Sequence, residues 1–267
     1  MEVPTVLDTI NDELKRCPFC DEEIRMKAVI CKHCHQWMPG YTYESAIRDL
    51  VIEKQVTQSS LTTAAEDKQT RSEQLKLALA WAKSDKRHPM RKFDLSAQDL
   101  KGIDLSGADL REANLSEADL SGANLKGCNL SKANLFRANL QGANLRQAKL
   151  VDAYLREAML EQTDFSGSSL TRANMRGVNL SRAILYRVDL DRANLKMAKL
   201  YDVNMRECYL KDTNLEGTKM EGAQLNGALM VRANFTGSDV TAFQYKRAKT
   251  IEAMTLPSGK LYNGEQS

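Results

Sequence analysis

Residues 93–147 read FDLSA QDLKG IDLSG ADLRE ANLSE ADLSG ANLKG CNLSK ANLFR ANLQG ANLRQ, a repeat of period five that decides the fold. Its central apolar slot falls on Leu95, Leu100, Leu105 and every fifth residue onward. Beyond Leu160 the slot is held by Phe165, Leu170, Met175 and Leu180, and it continues to Val240 and Tyr245 before failing at Thr250. Two places earlier the residue is small, as at Ala108, Ala113, Cys128 and Ala133. On an α-helix each residue advances about 100°, so a five-residue period would rotate the leucines by about 140° per repeat and leave no buried stripe. In an extended segment the small residue and the Leu point to one side and the intervening Asp or Asn to the other. The two remaining residues turn a corner. If each corner turns about 90°, four repeats close a square coil of about 20 residues, and coils stack at roughly 4.8 Å through backbone hydrogen bonds.

The second corner residue is Gly at 102, 107, 122, 127 and several later positions, but the phase 112, 132, 152, 172, 192, 212, 232, 252 holds none. Gly supports turns with positive φ, so this edge is expected to use a different corner geometry.

The A(D/N)LXX signature resembles the pentapeptide-repeat proteins over Phe93 to Thr250. The resemblance implies an all-β solenoid, a right-handed quadrilateral β-helix of about 8 coils and roughly 38 Å in length. Leucine ladders fill the interior, which accounts for an aromatic content of only 6%.

Division of the chain follows. Residues 1–40 form a small module, 41–92 a helical linker and N-terminal cap, 93–250 the β-helix, and 251–267 a C-terminal cap and tail. SEQLKLALAWAK, Ser72 to Lys83, is an expected helix with Leu75, Ala78, Leu79 and Ala82 on one face and Ser72 as a cap; Trp81 or Leu77 would seal the first coil. Met254 to Tyr262, MTLPSGKLY, reads as a terminal strand or hairpin around a Pro-Ser-Gly turn. In the family this end can also form a homodimer contact.

The first module carries Cys17-Pro18-Phe19-Cys20 and Cys31-Lys32-His33-Cys34. Two such knuckles place four thiolates around one tetrahedral ion, and Zn²⁺ fits four sulfurs. A fragment this short buries too little apolar surface to fold alone, so the metal would supply most of its folding free energy. The stretch resembles small bacterial zinc-ribbon modules, although Asp21 and His35 stand where Gly commonly follows the second Cys. Replacement of one thiolate by His33 or His35 stays open, as does a redox CxxC, which lacks the surrounding βαβ pattern. The remaining cysteines, Cys128 and Cys208, occupy inward slots about 19 Å apart, too far for a disulfide.

Three histidines, two of them in the zinc module, and no P-loop, nucleophile elbow, HExxH or dinucleotide fingerprint argue against an enzyme. No stretch reaches the roughly 18 apolar residues of a membrane span, and Met1 to Arg16 lacks the apolar run of a signal peptide; the cytoplasm is the expected location. The formal net charge of +3 argues against an overall basic nucleic-acid binder and against a strongly acidic mimic of duplex DNA.

Departures from the repeat grammar mark where binding would be encoded. Outward slots hold Tyr154, Met159, Ile184, Tyr186, Met197, Tyr201 and Tyr209. One coil carries Arg172, Arg176, Arg182, Arg187 and Arg192, and Lys196 follows Arg156 and Arg176 on one face. The candidate binding residues are Tyr154, Arg176, Tyr186, Arg187, Tyr201 and Tyr209. The leading expectation is a non-catalytic scaffold that presents this surface to a protein partner, with a structural zinc module. A gyrase- or topoisomerase-protecting role is implied by the resemblance alone. Nucleic-acid binding through the zinc ribbon and the Arg-rich coil is the third reading.

Overall fold

The computed structural model describes residues 14–16, 23–25, 66–83 and 90–262. The chain divides into two compact units, Met1–Asp67 and Lys68–Ser267. In the first, strands β1 (Leu14–Arg16) and β2 (Glu23–Arg25) pair antiparallel, Leu14 opposite Arg25 and Arg16 opposite Glu23. They bracket Cys17 and Cys20 in sequence. Cys17, Cys20, Cys31 and Cys34 themselves lie outside the described residues.

In the second unit the repeats contribute outward residues to parallel rungs, each pairing with the one 20 residues on until Leu229 and Asn234, which pair with Thr250 and Thr255. The first side of the coil stacks Asp94, Asn114, Asn134, Tyr154, Asn174, Asn194, Asn214, Asn234 and Thr255. The second side runs from Asp99 to Lys219, the third from Asp104 to Gln224 and the fourth from Asp109 to Leu229. Each rung is tied on both flanks, as where Leu95 N donates to Asn114 O at 2.8 Å and Asn114 N to Phe93 O at 2.8 Å. The central residues Leu95, Leu115, Leu135, Leu155 and their equivalents are fully buried, with Ala113, Ala118 and Ala123 beside them. A buried Leu contributes on the order of 1.5–3 kcal/mol by leaving water. Two inward polar substitutes bond to the coil below, Thr163 and Thr213 donating to Leu140 O and Leu190 O at 2.8 and 2.9 Å, and Thr218 donates to Leu215 O of its own repeat at 2.7 Å.

Each corner closes by a hydrogen bond such as Ala108 N to Leu105 O, 3.0 Å, with the third turn residue at positive φ. This conformation is uniform and corrects the expectation for the Gly-free edge. Glu112, Lys132, Asp152, Arg172, Arg192, Asp212 and Arg232 have φ of 53–60°, beside 75° at Gly107. Side chains in this region cost about 1–2 kcal/mol each, and coil stacking imposes the conformation regardless. The side chains of the edge form a charge ladder that glycine could not supply. Arg172 meets Asp152 at 2.7 Å, Arg232 meets Asp212 at 2.6 Å, and Lys92 lies 3.8 Å from Glu112.

The outward Asp or Asn has its own mechanical role. Its Oδ1 accepts the N–H of the first corner residue, as Asn114 does from Ser116 and Asp104 from Ser106. This local bond competes with other backbone arrangements and holds the corner.

Helix α1 (Glu66–Lys83) closes the N-terminal end. Trp81 and Ala78 are buried, Leu75 and Ala82 pack beside them, and Gln74 Oε1 accepts Asp94 N at 2.6 Å, occupying the open edge of the first rung. Arg71 pairs with Asp94 at 2.6 Å. Two expectations change: Leu77 and Leu79 face outward, and the helix begins before Ser72. The buried stripe follows Leu75, Ala78, Trp81 and Ala82, and the indole fills volume on that stripe that Leu79, on the flank, cannot reach.

At the other end the repeat stops at Val240. Tyr245 does not enter the central slot, because the third side of the last coil is replaced by a short helix, α2 (Ala242–Tyr245). Gln244 Nε2 substitutes for the missing strand by donating to Met220 O and Ala223 O at 2.6 and 3.1 Å. Chain pairing resumes one residue out of phase: β3 (Leu229–Val231) pairs parallel with β4 (Thr250–Glu252), Met230 opposite Ile251. Strands β5 (Met254–Thr255) and β6 (Leu261–Tyr262) then form the expected hairpin, with Gly259 at φ 81° in its turn and Tyr245 edge-on to Tyr262.

Candidate interaction surface

From Asp94 to Asn144 every rung is Asp or Asn and every one braces its corner. From Lys149 onward the rule breaks. Met159, Ile184, Lys199, Tyr209, Lys219 and Leu229 have no oxygen in reach to accept the corner N–H, so each departure forgoes a bond worth about 0.5–1.5 kcal/mol. Several also expose apolar surface: Met159 is 46% exposed, Ile184 39% and Tyr209 47%.

The departures do not form one patch. Tyr154 is on the first side, buried, its ring centroid 6.1 Å from that of Phe136. Arg176 sits at the corner after the first side, and Tyr201 at the corner after the second. The arginine-rich coil spreads over all four corners, with Arg172 held by Asp152 and Arg192 3.9 Å from Asp212.

Three candidates do meet. Tyr186 and Arg187 form the corner between the third and fourth sides, and Tyr209 lies on the fourth side one coil further, stacked on Asp189. Glu207 ties them together. It accepts Arg187 Nε at 2.6 Å and the Tyr186 hydroxyl at 3.1 Å, while the Arg187 guanidinium stands 5.1 Å from the Tyr186 ring centroid. The Arg187 hydrogen bond holds the Glu207 carboxyl below the usual range. A hollow of about 360 Å³ opens here, lined by Arg187, Glu207, Tyr209, Gly227, Leu229 and Lys249. At Gly227, φ is 74° and a Cβ would lie 3.2 Å from Glu207 Cγ, so glycine keeps the floor open. The sequence reading missed Glu207, Leu229 and Lys249. Leu229 carried a usable signal, a Leu in an Asp/Asn slot.

A second hollow, about 540 Å³, lies beside α2 where the last coil loses its third side. It is lined by Glu221, Asp239, Phe243, Gln244 and Arg247 among others, with Arg247 stacked 3.8 Å over the exposed Phe243 ring. Cys128 and Cys208 are buried with their thiols on Leu105 O and Leu185 O, and burial pushes the Cys208 thiol up to about 12. Among the described residues no cluster of His, Cys, Asp or Glu could hold a metal, and no helix is long and apolar enough to cross a membrane.

The family model for pentapeptide repeats (eight copies) matches residues 94–127, 113–150, 128–167, 148–185, 168–207 and 208–242. The chain belongs to the pentapeptide-repeat family. Among solved pentapeptide-repeat structures it is similar to HetL, involved in heterocyst differentiation regulation in the cyanobacterium Nostoc sp. strain PCC 7120, with 30% identity over 64% of this chain and 90% of that one and a TM-score of 0.37. A trypsin-treated variant of QnrB1, a plasmid-mediated fluoroquinolone resistance protein, shares 21% identity over 58% of this chain and 74% of its own, TM-score 0.41. A pentapeptide repeat protein of the Arabidopsis thaliana thylakoid lumen shares 22% over 62% and 85%, TM-score 0.15. No curated protein matches the chain significantly.

Proposed function

We propose that this pentapeptide-repeat chain is a non-catalytic interaction scaffold whose partner-binding site is the Tyr186, Arg187 and Tyr209 hollow. One observation carries the reading: departures from the repeat grammar on successive coils meet at one concave spot, where Tyr209 forms an aromatic wall beside the Arg187 and Glu207 pair and Tyr186 is tied to that pair through Glu207. Tyr and Arg anchors beside a pocket are the composition of interface hot spots. Duplex mimicry, and with it a gyrase-directed role, is not adopted. The sides carry Lys149, Lys199 and Lys219 where an unbroken acidic column would be needed. The nucleic-acid reading is disfavoured by the spread of the arginines over four corners and their pairing with carboxylates.

The same proposal assigns one structural zinc to Cys17, Cys20, Cys31 and Cys34. The antiparallel β1 and β2 pair brackets the first knuckle in the way a zinc hairpin requires, which supports that donor set. The ion would staple the module; nothing in the scaffold reading asks it for chemistry. Metal analysis of the full chain should give about one zinc, lost together with the module's fold in a Cys17→Ser/Cys20→Ser variant.

The binding site is tested by quantitative capture with the immobilised full chain. Tyr186→Ser/Tyr209→Ser should abolish capture of partners retained by the wild type, whereas Tyr201→Ser, on another edge, should keep it. Equal capture by all three would remove the assignment.

A further inference from the structure

The second side of the coil carries Lys199 and Lys219 on adjacent rungs, paired through Leu200 N to Lys219 O at 2.6 Å and Lys219 N to Ala198 O at 3.0 Å. Their α-carbons are therefore about one coil spacing, ~4.8 Å, apart. Both side chains are exposed, and neither forms an ion pair among the described residues. Like charges directly opposite on a sheet are destabilising. Another stacked pair of cations, Arg172 and Arg192, is relieved by Asp152 and Asp212. Of the nearby acids, Glu216 takes Lys196 Nζ at 2.9 Å, and Asp239, the next residue along this side above Lys219, accepts Met220 N through Oδ1 without forming an ion pair with either lysine. Lysine also has no acceptor, so both rungs forgo the corner brace that Asn or Asp would give. Two separate penalties thus fall on the same two residues.

Flanking them is apolar surface. Met197, 58% exposed at the corner that precedes this side, lays its sulfur along that corner across Gly217, while Met159 stands two rungs below Lys199. Methionine is over-used where a surface must adapt to another protein's side chains. The lysine spacing also matches the roughly 5–6 Å between side chains three or four apart on a helix.

We propose that this side is a second docking site, for an acidic amphipathic helix of a partner protein, whose carboxylates at i and i+4 meet Lys199 and Lys219 and whose apolar residues cover Met197 and Met159. The site lies on the side opposite Tyr209. It shares with the scaffold reading only the premise that the rod binds protein, and its test leaves the Tyr186 hollow untouched.

The probe is a fluorescein-labelled peptide of about 16 residues, long enough to be helical, with Glu pairs at i and i+4 and Leu on the adjoining stripe. Anisotropy titration with the full chain at low salt should give saturable binding that weakens as salt is raised. Lys199→Asn/Lys219→Asn should weaken it by roughly tenfold while raising the melting temperature, because Asn restores both corner braces and removes the repulsion. Lys126→Asn/Lys132→Asn, on other edges, should bind as the wild type does. Unchanged affinity in the Lys199/Lys219 variant would overturn the proposal. So would a loss of binding accompanied by a lower melting temperature, which would make the lysines structural. Equal affinity for a DNA duplex would assign the patch to nucleic acid instead.

Discussion

Residues 94–146 and 149–231 build the same coil, yet they treat its outside differently. In the first stretch every rung is Asp or Asn and every corner is braced; in the second, Lys, Tyr, Met, Ile and Leu intrude while the central apolar ladder continues without a break. Interior and exterior are separable in this architecture. The central slot must be apolar in both regions because it has nowhere else to go, whereas the rung side chain contributes a corner brace and, for several Asn, a bond to the rung one coil below, and can be exchanged for binding chemistry at a bounded loss.

The sharpest test asks whether the interiors are energetically equal. Leu125→Ala and Leu200→Ala should each cost roughly 2–5 kcal/mol in denaturant unfolding, since a stacked ladder cannot collapse around the hole. A much smaller loss at Leu200 would show that the second region is also looser inside. The exteriors should then behave oppositely. Asn139→Ala removes a brace and a bond to Asp119 and should destabilise by about 1 kcal/mol, while Met159→Asn, one coil on, should stabilise by a similar amount.

Corner conformation offers a finer comparison. Gln162→Gly should stabilise by up to about 1 kcal/mol, because Gln162 is held at φ 58°. Gly122→Ala meets no neighbour and should cost about the same for conformational reasons alone. Acid titration is expected to have the smallest effect. Hydrogen bonds from Arg111 and Arg232 hold Asp109 and Asp212 below their usual values, as Arg187 holds Glu207. Carboxylates depressed in the folded state contribute above their unfolded pKa, near 4, and that contribution is lost as pH falls through the folded values. Melting temperature should therefore drift down below about pH 4, less so in Glu207→Gln.

Much of this was legible in the residues. A period of five without insertion admits few backbones, and it placed the coil and the leucine ladder, while the Pro-Ser-Gly turn in MTLPSGKLY placed the terminal hairpin. The positive φ of the Gly-free corners was not legible, because composition records preference and stacking overrides it. Nor was Trp81 separable from Leu77 as the seal, since both are apolar and only the docking angle of α1 decides. The hollow was half visible. Tyr209 follows Tyr186 by one coil plus three residues, so folding the departures onto a 20-residue grid brings them together, but Lys249 arrives only through the phase slip, which no periodicity announces.

That slip sets the length of the rod. Rungs repeating every 20 residues supply an edge that any further coil, from the same chain or another, could extend. The extra residue that places Thr250 opposite Leu229, rather than Lys249, puts the outgoing edge out of step with the incoming one. A second molecule stacked end to end would meet mismatched corners, with the β5 and β6 hairpin already seated above the last first-side rung. The irregular last coil therefore offers no continuation of the 20-residue register for a further coil to copy.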